Sequence, residues 1–223
     1  MSSHDEQSFR AVVTIASKLG PNGTLDVDSL DDTNPIWEAP RGLAVLRNAN
    51  EMAKAARLLL YCSSEILLVD QHYSGAARFG RPLAAMIQCA FVGKPITRFE
   101  YHLGAGDVTS NVFEQQLSQQ RRHLEVPEGQ AITFVRWRQR AEGDTLHPRY
   151  VLTERGGLRF EHGLDEGNDG ETTDVECMAA ELHQRRRAQF HPESGQFELV
   201  DAWIVNATSV SRASWDGSKF VST

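Results

Sequence analysis

The stretch that decides the fold is LHPRYVLTERGGLRFEHGLDEGNDGETTDVECMAAELH, residues 146–183. Its first half places Gly156-Gly157 between Leu146–Thr153 and Leu158–Glu161, which predicts a β-hairpin. Side chains two apart on a strand share a face, so His147 and Arg149 project together. An arginine beside an imidazole disfavours protonation of the ring. The pairing makes sense if an anion lies between them, with a carboxylate such as Glu154 or Asp165 orienting the imidazole. The bland alternative is a solvated strand face, or a pairing with Glu154. Further on, Thr173-x-x-Glu176 reads as a capping box for a helix carrying Val175, Met178 and Leu182.

Working outward, Asn50 is placed to cap a helix with Met52, Ala55, Ala56, Leu59 and Leu60 on one stripe. The apolar run Ile66–Val69, ending in Asp70-Gln71-His72, predicts a strand covered on both faces. Pro82 sits near the start of a second helix, with Leu83, Met86, Ile87 and Ala90 at helical spacing. In Ile96–Leu103, Phe99, Tyr101 and Leu103 alternate with Arg98, Glu100 and His102, a strand pattern. A helix over 111–123 and strands at Ala131–Arg138 and Phe197–Val205 follow. The order β-α-β-α-β, hairpin, α-β predicts an α/β fold, a mixed sheet flanked by helices. Residues 1–45 read as a partly irregular arm, 46–206 as the domain and 207–223 as a Ser-rich tail. Asp70 and His72 fall at the carboxyl end of a central strand, where open α/β sheets gather ligands; capping of the turn is the alternative.

The chain has 223 residues, 40% of them hydrophobic and 24% charged, which fits one globular domain with short arms. A net charge of −7 argues against non-specific wrapping of nucleic acid but leaves room for a local basic site. Arginines cluster at 121–122, 136–140 and 185–187, and the guanidinium suits bidentate phosphate recognition. No apolar run is long enough to span a membrane, and the first residues lack a secretion signal. Cys62, Cys89 and Cys177 have no paired spacing and read as buried thiols in a reducing compartment, so a cytoplasmic location is expected.

The spacing of His147, Arg149 and Glu154 is similar to the His-x-Lys-x(4)-Asp signature of phospholipase D-type phosphodiesterases, with both non-histidine positions changed conservatively. It occurs once in a strand context. His147-Pro148-Arg149, Glu154-Arg155-Gly156-Gly157, His162-Gly163-Leu164-Asp165 and Glu171-Thr172-Thr173 together resemble the C-terminal domain of microtubule-interacting-and-transport domain proteins. That family is a phospholipase D-like fold with an altered catalytic motif, and the resemblance extends from Ala55 to Val205. It implies phospholipid or phosphoinositide binding, dimerisation and no turnover. Carried over, it assigns roles to His147, Arg149, Gly163, Leu164, Asp165, Glu171 and Thr172. Pro148 replaces the family's acidic middle residue, and Glu161 stands where a basic residue or glycine is usual.

The expectation is therefore a catalytically degenerate, phospholipase D-like domain that binds a phosphate-bearing ligand, phospholipid or nucleic acid, or a partner protein. His147, Arg149 and Glu154 form its catalytic-type core; Asp70, His72, His162, Asp165, Glu171 and Thr172 are candidate ligand contacts. No cofactor is expected. The rival reading is a homodimeric phosphodiesterase or nuclease of a bacterial defence or toxin system, with a histidine nucleophile supplied by each subunit. A metal site from His147, His162, Glu154 and Asp165 is a weaker alternative, because metal histidines more often come at helical spacing.

Overall fold

The computed structural model describes residues 12–14, 24–26, 42–146 and 149–223, and the chain divides into two units, Met1–Arg41 and Gly42–Thr223. In the first unit, β1 (Val12–Thr14) pairs in parallel with β2 (Thr24–Asp26).

The second unit is built on one ten-stranded sheet. In chain order its elements are β3 (Gly42–Leu46), α1 (Ala49–Tyr61), β4 (Glu65–Val69), α2 (Ala77–Phe91), β5 (Arg98–Gly104), α3 (Ser110–Leu124) and β6 (Ala131–Gln139). There follow β7 (Arg149–Thr153), β8 (Gly157–Phe160), β9 (Thr172–Cys177), α4 (Ala180–Gln189), β10 (Phe197–Asn206), β11 (Val210–Trp215) and β12 (Phe220–Ser222). The spatial order is β12-β11-β10-β6-β5-β4-β7-β8-β9-β3. Only β4, β5 and β6 run parallel, joined by the α2 and α3 crossovers; every other neighbouring pair is antiparallel. The mixed α/β expectation is met. No described helix is long and apolar enough to cross a membrane.

Strand alternation divides the core in two. Ile66, Leu68, Phe99, Tyr101, Leu103, Ile132 and Phe134 face α1, α2 and α3 and form the larger apolar cluster. Leu67, Val69, Val135, Trp137, Tyr150 and Leu152 face the other way, onto Phe190 at the end of α4 and onto Phe197. α1 is capped by Asn48 rather than Asn50: its side chain accepts the Glu51 N–H at 2.9 Å. α2 starts at Ala77, so Pro82, near its start, lies in the second turn rather than the first. A proline has no N–H to give the carbonyl four residues back; here the freed Arg78 carbonyl accepts the Glu166 N–H at 2.9 Å.

Four further expectations need correction. Residues 172–177 form a strand, not the opening of a helix, because Thr173 and Val175 are buried while Thr172, Asp174 and Glu176 are exposed. That is the two-residue period of a sheet, and β-branched side chains favour it. The helix begins only at Ala180. Residues 207–223 are not a tail: β11 and β12 extend the sheet beyond β10, burying Ala213 and Phe220. Nor does the arm reach residue 45, since Gly42–Leu46 is the strand at the other edge. The cysteines are free, but Cys62 and Cys177 are exposed at element ends, and Cys89, in the last turn of α2, is half-buried against the larger apolar cluster.

On the α4 face a polar chain lies beneath the apolar layer. Trp137 Nε1 donates to His102 Nδ1 at 2.9 Å. An indole N–H only donates, so Nδ1 is bare and the neutral ring carries its proton on Nε2. Nε2, which carries that proton, lies 3.0 Å from Glu100 Oε2, out of line for a straight hydrogen bond, so the contact is one of a polar N–H with a carboxylate rather than an ion pair. Arg98 Nη2 donates to the same Oε2 at 2.7 Å. Burial would push the Glu100 carboxyl up, but His102 and Arg98 outweigh it and hold the group at about 2. Burial pushes the His102 imidazole down, against the pull of Glu100.

These shifts give the stability a pH dependence of known sign. Neutral His102 takes no proton in the fold, while an unfolded imidazole gains one near pH 6.5, so acidification favours the unfolded chain. Urea unfolding should show stability falling from pH 7 to 5, by at most about 1.4 kcal/mol per pH unit from this group. A second loss, from Glu100, should begin as pH drops through the usual carboxylate range and continue towards about 2. His102→Asn should flatten the first limb and keep the second. Separately, Leu68→Ala, fully buried in β4, is expected to cost about 2–5 kcal/mol in the same assay.

Candidate functional site

The sequence-predicted residues divide between the two ends of β7. Val69 pairs with Tyr150, so Asp70 and Arg149 lie one step beyond that pair, at the carboxyl end of β4. Asp70 is buried, and it caps the turn as well as bordering the cleft. Its Oδ1 accepts the His72 N–H at 2.9 Å and its Oδ2 the Leu164 N–H at 2.8 Å. Burial raises its pKa and the nearby Asp165 charge adds to that; the two amides and the Arg149 charge oppose it.

The segment from His162 to Glu171 packs over this end of the sheet, and Asp165 anchors it. Arg47, directly after β3, donates from Nη2 to Asp165 Oδ1 at 2.8 Å and from Nη1 to Glu171 Oε2 at 3.2 Å. Arg78 Nε lies 3.3 Å from Asp165 Oδ2. Arg81 pairs with Glu166, whose other oxygen accepts the Ala49 N–H at 3.1 Å. Gly163 has φ +119°, and a Cβ there would come within 2.6 Å of Asp165 Oδ1 and 3.2 Å of Asp70 Oδ2. Only glycine lets Asp70 and Asp165 approach the same turn.

Asp70, Arg149, Asp165 and Glu171 are thus brought together, with Arg47 and Arg78. His162 contributes mainly through its backbone: its N–H donates to Thr173 Oγ1 at 3.1 Å, and its carbonyl accepts from Arg47 at 3.4 Å. Its imidazole is exposed, 3.7 Å from Glu161. His72 is exposed beside Gln71, and Thr172 is exposed at the start of β9 opposite Leu46. His147 and Pro148 lie outside the described residues.

Glu154 does not join the group. It lies beyond the Thr153–Ile66 pair, at the far end of β7 from Arg149, roughly 17 Å away at strand rise. There it accepts the Ser64 and Glu65 N–H groups at 3.0 and 3.1 Å. Those amides hold its carboxyl below the usual range, against a desolvation that would raise it. At that distance it cannot share a metal with Asp165 and His162.

Sequence reasoning missed Arg47, Arg78, Arg81 and Glu166, which build the cluster. Arg47 has a readable signal, a charged residue just after the apolar run GLAVL, but Gly42–Val45 of that run fall within the stretch that reads as an arm, so the strand that positions Arg47 is hidden.

No family model matches the chain, and no curated protein matches it. Among solved structures it is similar to TrmBL2, an archaeal chromatin protein whose structure shows a novel mode of DNA binding. Identity is 15% and the TM-score 0.38, over 73% of this chain and 55% of that one, so the likeness spans just over half of that protein. A likeness at this level carries no weight for the fold or ligand of this chain.

Proposed function

We propose that the chain is a catalytically degenerate, phospholipase D-like domain that binds a phosphate-bearing ligand at the shared end of β4 and β7, with Arg149 as the contacting cation. Arg149 carries the reading. Its neighbours Arg47, Arg78 and Arg81 are each committed to a carboxylate. Arg149 forms no ion pair among the described residues; its Nη1 reaches only the Glu161 carbonyl, at 3.5 Å, and its Nε is buried without a partner. A guanidinium so placed has donors to offer a phosphate.

Binding without turnover is favoured by the carboxylates. A phospholipase D-type histidine needs an acid to orient it, and both candidates are engaged elsewhere. Glu154 is spent on two backbone amides, and Asp165 on Arg47 and Arg78. The phosphodiesterase reading rests on His147 and has no described observation in its favour. Three unpaired cysteines suit a reducing, cytoplasmic setting.

Inorganic phosphate, phosphoinositide-containing vesicles and a DNA duplex, titrated in parallel, test the proposal and distinguish the sources of phosphate. Arg149→Ala should weaken the ligand that binds by about tenfold or more, the scale of a lost charge-assisted bond. Equal affinities for wild type and variant would remove Arg149 from any site.

A further inference from the structure

On the opposite face, at the far end of β7, lies a pocket of about 570 Å³ that belongs neither to the Arg149 cluster nor to the apolar core. Its wall gathers Arg98 from β5, Arg155 from the β7–β8 turn, and His183, Arg187 and His191 on and after α4. Met178, Ala180 and Ala188 give it an apolar side. Three guanidiniums from three elements meet there, against one lining carboxylate, Glu154. Each has a partner behind or beside the pocket: Arg98 has Glu100, Arg155 has Glu154 at 3.5 Å, and Arg187 has Glu65. Arg187 Nε is nonetheless buried without a partner.

Arg98 differs from the other two in how it is held. Behind it runs the chain Glu100, His102, Trp137, in which His102 is wholly buried and Glu100 nearly so. Burying such a polar chain costs several kcal/mol unless every member is matched. Its outermost member is a guanidinium at the rim of a cavity. A cation fixed by buried second-layer hydrogen bonds, with a pocket in front, is the arrangement of a pre-organised ligand site. The volume lies within the range of small-molecule pockets, about 300–1,000 Å³.

We infer that this pocket binds a small organic phosphate of about nucleotide size, its phosphoryl group between Arg98, Arg155 and Arg187 and its body against Met178 and Ala180. Phosphate suits the planar forks of arginine, and the apolar wall favours a ligand with a body over a bare ion. The inference is independent of Arg149, which lies on the other face at the other end of the strand.

Calorimetric titration of the full chain with adenosine 5′-monophosphate, inorganic phosphate and adenosine tests it. The monophosphate is expected to bind more tightly than phosphate, and adenosine not measurably. Arg98→Gln would strand a buried carboxylate and endanger folding, so two gentler variants serve. Arg155→Gln changes a half-exposed side chain, and Arg98→Lys keeps the charge beside Glu100 but loses the fork. Each should weaken the monophosphate about tenfold, Arg155→Gln with an unchanged thermal midpoint, while Arg149→Ala should leave it unaltered. No saturable binding by either phosphate compound, equal binding by the pocket variants and wild type, or loss only in Arg149→Ala would each overturn it.

Discussion

A carboxylate beneath a sheet has to be matched by donors wherever its oxygens point, and Glu100 is the residue on which the α4 face depends. It is nearly fully buried on β5, the middle of the three parallel strands. An isolated buried ion of this kind would take up a proton or force water in. Arg98 and His102 prevent that, and Trp137 fixes which nitrogen of His102 is bare. Phe190 packs 5.0 Å from the His102 ring, so α4 seals the chain from solvent. Gly157 belongs to the same constraint. A Cβ on it would meet Met178 Sδ at 2.8 Å and His183 Cδ2 at 2.9 Å, and would push α4 away.

The other face rests on a different economy, in which a helix defect is put to use. Pro82 deprives the Arg78 carbonyl of its helical donor, and Glu166 N–H takes the place. Glu166 then receives Arg81 and the first N–H of α1, while Asp165 receives Arg47 and Arg78. One loop thereby ties β3, α1 and α2 to the end of β4. So many pairings neutralise most of the arginines there, which is why a dense basic cluster leaves Arg149 alone uncommitted to a carboxylate.

The parallel heart of the fold was readable because each element there has one strong signal. Ile66–Val69 is uninterrupted apolar, α1 and α2 carry helical stripes, and β5 alternates strictly. The flanks were not readable for physical reasons. Thr173-x-x-Glu176 satisfies the capping pattern and the strand pattern at once, and only pairing to β3 and β8 decides between them. β11 and β12 are short and polar outward, so their sequence resembles a tail until β10 is there to pair with. In β5 the alternate positions Glu100 and His102 are buried, with Phe190 at the end of α4 against His102, and α4 has the weakest apolar stripe of the four helices, so little in its pattern marks that cover.

The site was legible in part, and the part that failed has a geometric cause. Asp70 and Arg149 meet because strand register puts them side by side, and Asp165 joins them because Gly163 allows the turn. Glu154 was grouped with Arg149 on motif spacing, yet an offset of five on one continuous strand is odd and sends two side chains to opposite faces. The same offset sends them to opposite ends of a five-residue strand. Tolerance for displacement of catalytic groups is near 1 Å, so a separation of roughly 17 Å ends any shared chemistry. What remains is a motif whose halves have parted. Arg149 stays with the Asp70 and Asp165 turn, while Glu154 serves the amides of β4 and borders the pocket under α4. One strand thereby connects two cation-bearing sites that share no residue.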